Sequence, residues 1–336
     1  MTLPVALPLS ARRLVVTKRL PQLVGLVLVL LVDWLVSPQF FSLRIQDGRL
    51  FGSLIDVLNR GAPVTLLSLG MTLVIATGGI DLSVGAVIAI AGATAATLIN
   101  SGLDVWLVVV LSLMAGVACG LWNGLLVSVM QIQPIVATLT LMVAGRGIAQ
   151  LITQGVIVTF VNPPLAAVSG GSLLGLPMPV VIVIGMLIIT VLLVRGTALG
   201  LFIEAVGINR RSSAYAGINT RMVLILVYVW SGLCAAVAGV VLAADIKGAD
   251  ANNAGLWMEL DAILSVVVGG TSLLGGRFSL VMAVVGALII QAMNTGILLS
   301  GFKPEFNLIV KSVVVLIILF VQSPALSGLA SRRRAS

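Results

Sequence analysis

The chain has no histidine. That removes the usual general base of Ser–His and Cys–His nucleophile pairs and the commonest metal ligand. Cysteine is nearly absent too: Cys119 and Cys234 both sit inside apolar runs. Neither has a neighbouring ligand-type residue, so they imply packing, with no disulfide framework and no metal site. Only 9% of the 336 residues are charged, against about 25% in soluble domains. Aromatics make up 5%. The net charge of +8 therefore does not point to nucleic acid, because no basic–aromatic face accompanies it. No G-x-x-x-x-G-K-[ST] phosphate loop occurs, so the chain carries no Walker-type ATPase of its own.

What is abundant is apolar sequence, 60% of the chain. It divides into ten segments: 20–37, 62–77, 82–99, 105–130, 134–152, 178–194, 222–244, 262–275, 278–300 and 306–323. The fold class is an all-α polytopic membrane protein of about ten transmembrane helices, some short or broken. Residues 1–19 read as a basic N-terminal tail, 20–323 as one transmembrane domain and 324–336 as a basic C-terminal tail. The first apolar run follows Arg12, Arg13, Lys18 and Arg19 as a signal peptide would. No small-x-small cleavage site follows it, so it reads as an uncleaved span.

Basic residues set the expected orientation. With ten spans, Arg12, Arg13, Lys18, Arg19, Arg195, Arg210, Arg211, Arg221, Arg277, Arg332, Arg333 and Arg334 fall on one side. Arg44, Arg49, Arg60, Lys247 and Lys303 fall on the other. The richer side is cytoplasmic, and so are both termini. Residues 37–60 form an outside loop with a short surface helix over 51–59, and the Pro- and Gly-rich stretch 153–179 reads as an external loop.

Two interruptions organise the chain. Gly78-Gly79-Ile80-Asp81-Leu82-Ser83-Val84-Gly85 breaks one apolar stretch, and Gly269-Gly270-Thr271-Ser272-Leu273-Leu274-Gly275-Gly276 repeats its G-G-x-x-L-x-x-G spacing. Short or Gly-interrupted segments in corresponding positions point to a transport site. The other reading is a pair of tight turns at the membrane surface. Asp81 either bonds hydroxyls of a neighbouring helix or caps the helix after it together with Ser83. Arg146, inside an apolar segment, is expected to ion-pair with Asp81 or Asp261. Lys311 is expected to reach the outer interface beside Glu305. Asn123, Gln133, Thr138, Gln150, Gln291 and Asn294 are polar groups of the kind that hold hydroxyl-rich ligands or simply join helices. Trp122 and Trp257 could add aromatic contact. The candidate pathway residues are Gly78, Gly79, Asp81, Ser83, Asn123, Thr138, Arg146, Thr271, Ser272 and Asn294.

The stretch 195–221 holds Ala205, Ser212 and Ala216 at helical spacing, punctuated by Gly200, Gly207 and Gly217. Small residues let a docking partner approach the backbone, and Gly207 and Gly217 can end short helices in left-handed conformation. A plain solvated basic loop is the alternative.

E-A-V-G-x-N at Glu204–Asn209 and A-x-A-G-I at Ala214–Ile218 resemble the coupling loop of sugar-importing ABC permeases of the ribose and galactose type. The glycine-broken stretch at Gly78–Gly85 is similar to that family's signature. So are the runs Gln133–Gly147 and Glu259–Gly276. The resemblance covers about residues 20–322. Gln46–Ser53 and Gly248–Trp257 are similar to the galactofuranose-type systems within it. One departure stands at Arg210-Arg211-Ser212-Ser213, where the family often has two alanines. The resemblance implies a permease subunit in a bacterial inner membrane, importing a monosaccharide, with no cofactor of its own and with ATP used by a separate cytoplasmic ATPase. It further implies a second permease subunit, different in galactofuranose-type systems, and a periplasmic sugar-binding protein. The coupling residues it implies are Glu204, Gly207, Asn209, Ala214, Ala216 and Gly217. An ion-coupled secondary sugar transporter is the rival, with Asp81 as its candidate coupling group.

Overall fold

The computed structural model describes residues 9–46, 49–301, 306, 308–313 and 316. In chain order the helices are α1 (Leu9–Val36), α2 (Ser53–Arg60), α3 (Ala62–Ala76), α4 (Val84–Asn100), α5 (Val105–Ser128), α6 (Pro134–Ile152) and α7 (Pro163–Gly170). Then come α8 (Met178–Arg195), α9 (Leu199–Ile208), α10 (Arg210–Tyr215), α11 (Thr220–Ile246), α12 (Met258–Val268) and α13 (Leu280–Leu299). Strands β1 (Arg44–Gln46), β2 (Arg49–Phe51), β3 (Val158–Thr159), β4 (Ser172–Leu173), β5 (Leu176–Pro177) and β6 (Gly248–Ala249) pair antiparallel as β1–β2, β3–β6 and β4–β5.

Among the described residues, 5 helices are long and apolar enough to cross a membrane: α5, α6, α8, α11 and α13. The α2–α3 pair, bent by 44°, makes up to 6. Length and composition thus do not reach the ten spans expected. The shortfall has a physical cause. The expected spans 82–99 and 262–275 are α4 and the 11-residue α12, each shortened by a glycine break. The last, 306–323, lies largely outside the described residues. Within the expected tail 1–19, helix runs from Leu9 straight through Pro21 into the first apolar segment. The stretch 153–179 is not plain loop but contains α7, whose Asn162 side chain caps it by accepting from Leu165 N at 3.0 Å. The surface helix expected over 51–59 is α2.

α11 is the hub, flanked by α3, α4 and α5. All of α3 is buried, as suits a helix that is apolar on every face. Packing at this hub is backbone against backbone. Gly116, Gly120 and Gly124 recur every fourth residue on α5, the spacing that lets membrane helices approach closely. A Cβ on Gly120 would meet Val229 Cα at 2.8 Å, and one on Gly232 would meet Gly120 Cα at 3.0 Å. Hydrophobic driving force between helices is weak in lipid, so this close contact is what associates them.

Gly120→Leu should prevent stable accumulation of the protein, and Gly120→Ala should lower its melting temperature in detergent. Gly147→Ala on α6, where an added Cβ meets nothing within 4 Å, should leave melting unchanged or raise it by the equivalent of up to about 1 kcal/mol. Equal melting of Gly120→Ala and wild type would contradict the close-contact account.

Candidate functional site

The first break folds into a buried polar knot. After α3 ends, Gly78 turns the chain at φ 79°, a left-handed value that suits glycine. Gly79 has no room for a side chain, since a Cβ there would lie 2.7 Å from the Tyr228 hydroxyl. The next residues carry Asp81 into the protein, where it is 1% exposed. Its Oδ1 accepts from Ser83 N at 3.1 Å and Ser83 Oγ at 2.6 Å, and its Oδ2 accepts from Ser231 Oγ of α11 at 2.8 Å. Asn123 Nδ2 on α5 donates to Ser83 Oγ at 2.8 Å and lies 3.5 Å from Asp81 Oδ1. Thr138 Oγ1 on α6 donates to Ile80 O at 3.2 Å. One carboxylate therefore gathers α4, α5 and α11, with α6 tied to the backbone beside it. Both sequence readings of Asp81 describe part of this geometry: it bonds a hydroxyl on a neighbouring helix, and it also holds Ser83 at the start of α4.

The knot is neither at a bundle end nor at its centre. Ser231 is about 16 Å along α11 from Thr220, and Asn123 about 8 Å from the α5 terminus at Ser128, at 1.5 Å per residue. The second break comes to the same end of the bundle. Gly276 N donates to Ala76 O at 2.8 Å, and a Cβ on Gly275 would lie 2.9 Å from Gly78 N. Thr271 is buried with no partner for its hydroxyl, and Ser272 is exposed, its Oγ accepting from Leu274 N at 3.2 Å.

α9 meets both breaks. Gly207 packs so closely that an added Cβ would strike Ala76 O and come within 2.6 Å of Gly276 N. Gly207 is thus not the left-handed helix end expected of it. It lies inside α9, and its missing side chain serves contact instead. Gly217 does turn left-handed, at φ 87°, after α10. Asn209 caps α10 through Ser212 N at 3.0 Å. Ala214, Ala216 and Gly217 are exposed, as is Tyr215 at 92%. Glu204 lines a cavity of about 240 Å³ with Arg195, Leu201 and Phe278.

Arg146 stands apart from the knot, about 12 Å further along α6 than Thr138. It does not pair with Asp81 or Asp261. Its Nη1 donates to Ala251 O at 3.1 Å and Ala254 O at 2.6 Å, holding the irregular stretch between β6 and α12. Gln150 Nε2 holds the same stretch through Asn252 Oδ1 at 2.7 Å. Asp261 is taken by Lys311, whose Nζ lies 2.7 Å from Oδ1 and 3.0 Å from Oδ2. Lys311 therefore turns into the protein rather than outward to the interface; Glu305, its expected neighbour, lies outside the described residues. Asn294 faces a different cavity of about 420 Å³, shared with Asp56, Arg60 and Asp245 beyond the far end of α3. Trp122, beside Asn123 in sequence, is exposed on the outer face of α5. Sequence reasoning missed Ser231, although a lone serine before Gly232 in an apolar span was a visible signal. It also missed the Lys311–Asp261 pair, which no local pattern marks.

Ser231→Ala should cost about 1–3 kcal/mol in detergent stability, and Asp81→Ala more, because the Ser83 and Ser231 hydroxyls both then lose their acceptor. Wild-type melting of Ser231→Ala would contradict its place in the knot. Lys311→Met should cost about 3–5 kcal/mol, and adding Asp261→Leu should recover part of that. Additive losses in the double variant would show that the ion pair is not coupled.

Residues 53–319 match the family described as branched-chain amino acid transport system / permease component. The galactofuranose transporter permease protein YtfT of Escherichia coli (strain K12) is 66% identical over 90% of this chain and 89% of its own length. The fructose import permease protein FruF of Bifidobacterium longum (strain NCC 2705) is 41% identical over 93% of this chain and 90% of its own. The ribose import permease protein RbsC of Escherichia coli (strain K12) is 34% identical over 90% and 92%. No solved structure matches the chain. The broken helices, the apolar spans and a match running through most of the sequence agree: the chain belongs to the branched-chain amino acid transport system / permease component family, alongside its sugar-import permeases.

Proposed function

We propose that this chain is the galactofuranose-carrying permease of an ATP-driven importer, lying in a bacterial inner membrane with both termini cytoplasmic. The substrate rests on the 66% identity to a galactofuranose permease over nine tenths of the chain. The mechanism rests on one observation: Gly207 of α9 touches Ala76 and Gly276, the backbone on the edges of both glycine breaks. A separate ATPase docks on the exposed face of α9 and α10, where Ala214, Ala216 and Gly217 leave the backbone open and Arg210-Arg211 add positive charge. Closing of the ATPase displaces α9. Because the contact is backbone to backbone, no side-chain rotamer absorbs the movement, and it passes to the end of α3 and the stretch leading into α13. The knot at Asp81 ties that movement to α5, α6 and α11, so that the two faces open alternately.

A second, different permease subunit completes the pathway, and a periplasmic sugar-binding protein delivers substrate to the far end of the bundle. Gly78, Gly79, Asp81, Ser83, Asn123 and Thr138 form the inner constriction. Thr271 and Ser272 belong to the second break beside it, and Arg146 shapes the pathway wall further out. Asn294 lies outside this constellation and is not assigned to the pathway. The chain binds no ATP or other cofactor itself. Asp81 is not an ion-coupling group in this reading, since both its oxygens are held by fixed hydroxyl and amide donors.

The test is purification from native membranes with ATPase and uptake assays on the recovered complex. An ATPase should co-purify, and Gly207→Leu should abolish ATP-driven galactofuranose uptake. A chain that purifies alone and accumulates sugar along an ion gradient would sink the importer reading.

A further inference from the structure

The stretch between β6 and α12 leaves the bundle end and returns into it without helix. Asp250 starts the turn, its Oδ1 accepting from Asn252 N at 3.0 Å and its Oδ2 from Asn253 Nδ2 at 2.7 Å. By Gly255 the chain is deep: an added Cβ there would lie 2.5 Å from Gly85 O and 3.0 Å from Ile88 Cβ. Ile88 is about 18 Å along α4 from its end at Asn100. Irregular backbone at such depth is tolerated where protein buries it or where it lines a water-filled cavity, and not against lipid tails. Asn252, Asn253, Leu256 and Trp257 are all exposed, and at this depth such a backbone does not face lipid tails.

Trp257 is the anomaly in it. Its φ is 66°, in the left-handed region. A bulky residue there is an outlier and glycine is at home, as Gly255 is at 71°. The backbone is held in place regardless. The buried Glu259 carboxylate lies beside the N–H of Trp257 and its own. Gly85 leaves room for that carboxylate, since a Cβ there would sit 2.5 Å from Glu259 Oε2. Trp257 O then accepts from Asp261 N at 3.3 Å, opening α12. The indole itself contributes little to this packing, being 58% exposed. A strained backbone maintained for an exposed ring points to a use for the ring.

We infer that Trp257 is the sugar-stacking platform of the translocation pathway. The negative face of the indole receives the polarised C–H face of the sugar ring. Asn252 Nδ2 and Asn253 Oδ1, the amide atoms not bonded to Gln150 or Asp250, supply one donor and one acceptor for the ring hydroxyls from the same exposed stretch. Arg146 and Glu259 act only as positioning residues, one holding the carbonyls of Ala251 and Ala254, the other lying beside the amide of Trp257. The inference rests on the sugar-importer reading above and adds to it the recognition chemistry and its place.

The assay is sugar taken up per ATP hydrolysed by the reconstituted complex, with its ATPase and binding protein, using galactofuranose. Trp257→Gly keeps the backbone in a conformation glycine favours and removes only the ring. It should lower sugar per ATP by about fivefold while ATP turnover stays within about twofold of wild type. Trp257→Phe and Trp257→Leu share the strained backbone and differ in the aromatic face. Phe should retain at least about half the coupling, and Leu should fall to the level of Gly. Generic damage would lower uptake and ATP turnover together and make Phe and Leu equal. That result, or an unchanged ratio in Trp257→Gly, would overturn the platform. A wild-type complex that performs no ATP-driven uptake would overturn the importer reading itself, and the platform with it.

Discussion

The structure depends on a carboxylate that water does not reach. Asp81 is buried among apolar helices, where an unsatisfied charge is costly and each fixed donor correspondingly valuable. Its donors come from the start of α4, from α5 and from α11, so the carboxylate fixes where those helices cross. The glycines around it answer the same constraint. Gly78 reverses the chain, Gly79 clears the Tyr228 ring, and Gly116, Gly120 and Gly232 bring α5 and α11 near enough for short side chains to meet. A polar knot held by serines and an asparagine works only if the backbones that carry them lie close together.

Much of this was legible from residue type and spacing. The two G-G-x-x-L-x-x-G runs marked the breaks, and a carboxylate beside paired glycine inside apolar sequence marked the knot. The stretch from Glu204 to Gly217 marked the short helices at one bundle end. What the sequence did not disclose is long-range pairing. Arg146 had two nearby-seeming carboxylates to choose from and took neither, because its helix places it two turns beyond Thr138 and opposite bare carbonyls. Those carbonyls, of Ala251 and Ala254, are open to Arg146 because the chain there is not helical, a fact hydropathy does not carry. Gly207 was misread for a related reason. A glycine that ends a helix and a glycine that admits a neighbouring backbone look identical in sequence, and only the neighbour distinguishes them. The described residues hold 5 helices of spanning length rather than ten, since a window of apolar residues does not register a break that stops a helix halfway.

The two breaks are treated differently by the fold, although their spacing matches. The first turns inward and satisfies its polar groups within one knot. The second stays nearer the surface, with Ser272, Leu273 and Leu274 exposed and Gly270, Gly275 and Gly276 all in left-handed conformation. What unites them is their meeting place on α9. Sequence repetition has produced two breaks, one tied by hydrogen bonds and one built of left-handed glycines, with α9 meeting both.

The ion pair between Asp261 and Lys311 bears on how the protein is made. α12 is 11 residues long and carries Glu259 and Asp261 in its first turn. Alone it is too short to cross a bilayer and too acidic at its start to enter one readily. It emerges from the ribosome well before Lys311. The negative charge of Asp261 is therefore without its counterion until the last part of the chain arrives, although α3, against which α12 also packs, is already made. α12 is in this sense an element that insertion cannot place but assembly can. Its seating belongs to a late step of biogenesis, and a chain truncated before residue 311 would carry every helix named here and still lack the cation that seats one of them.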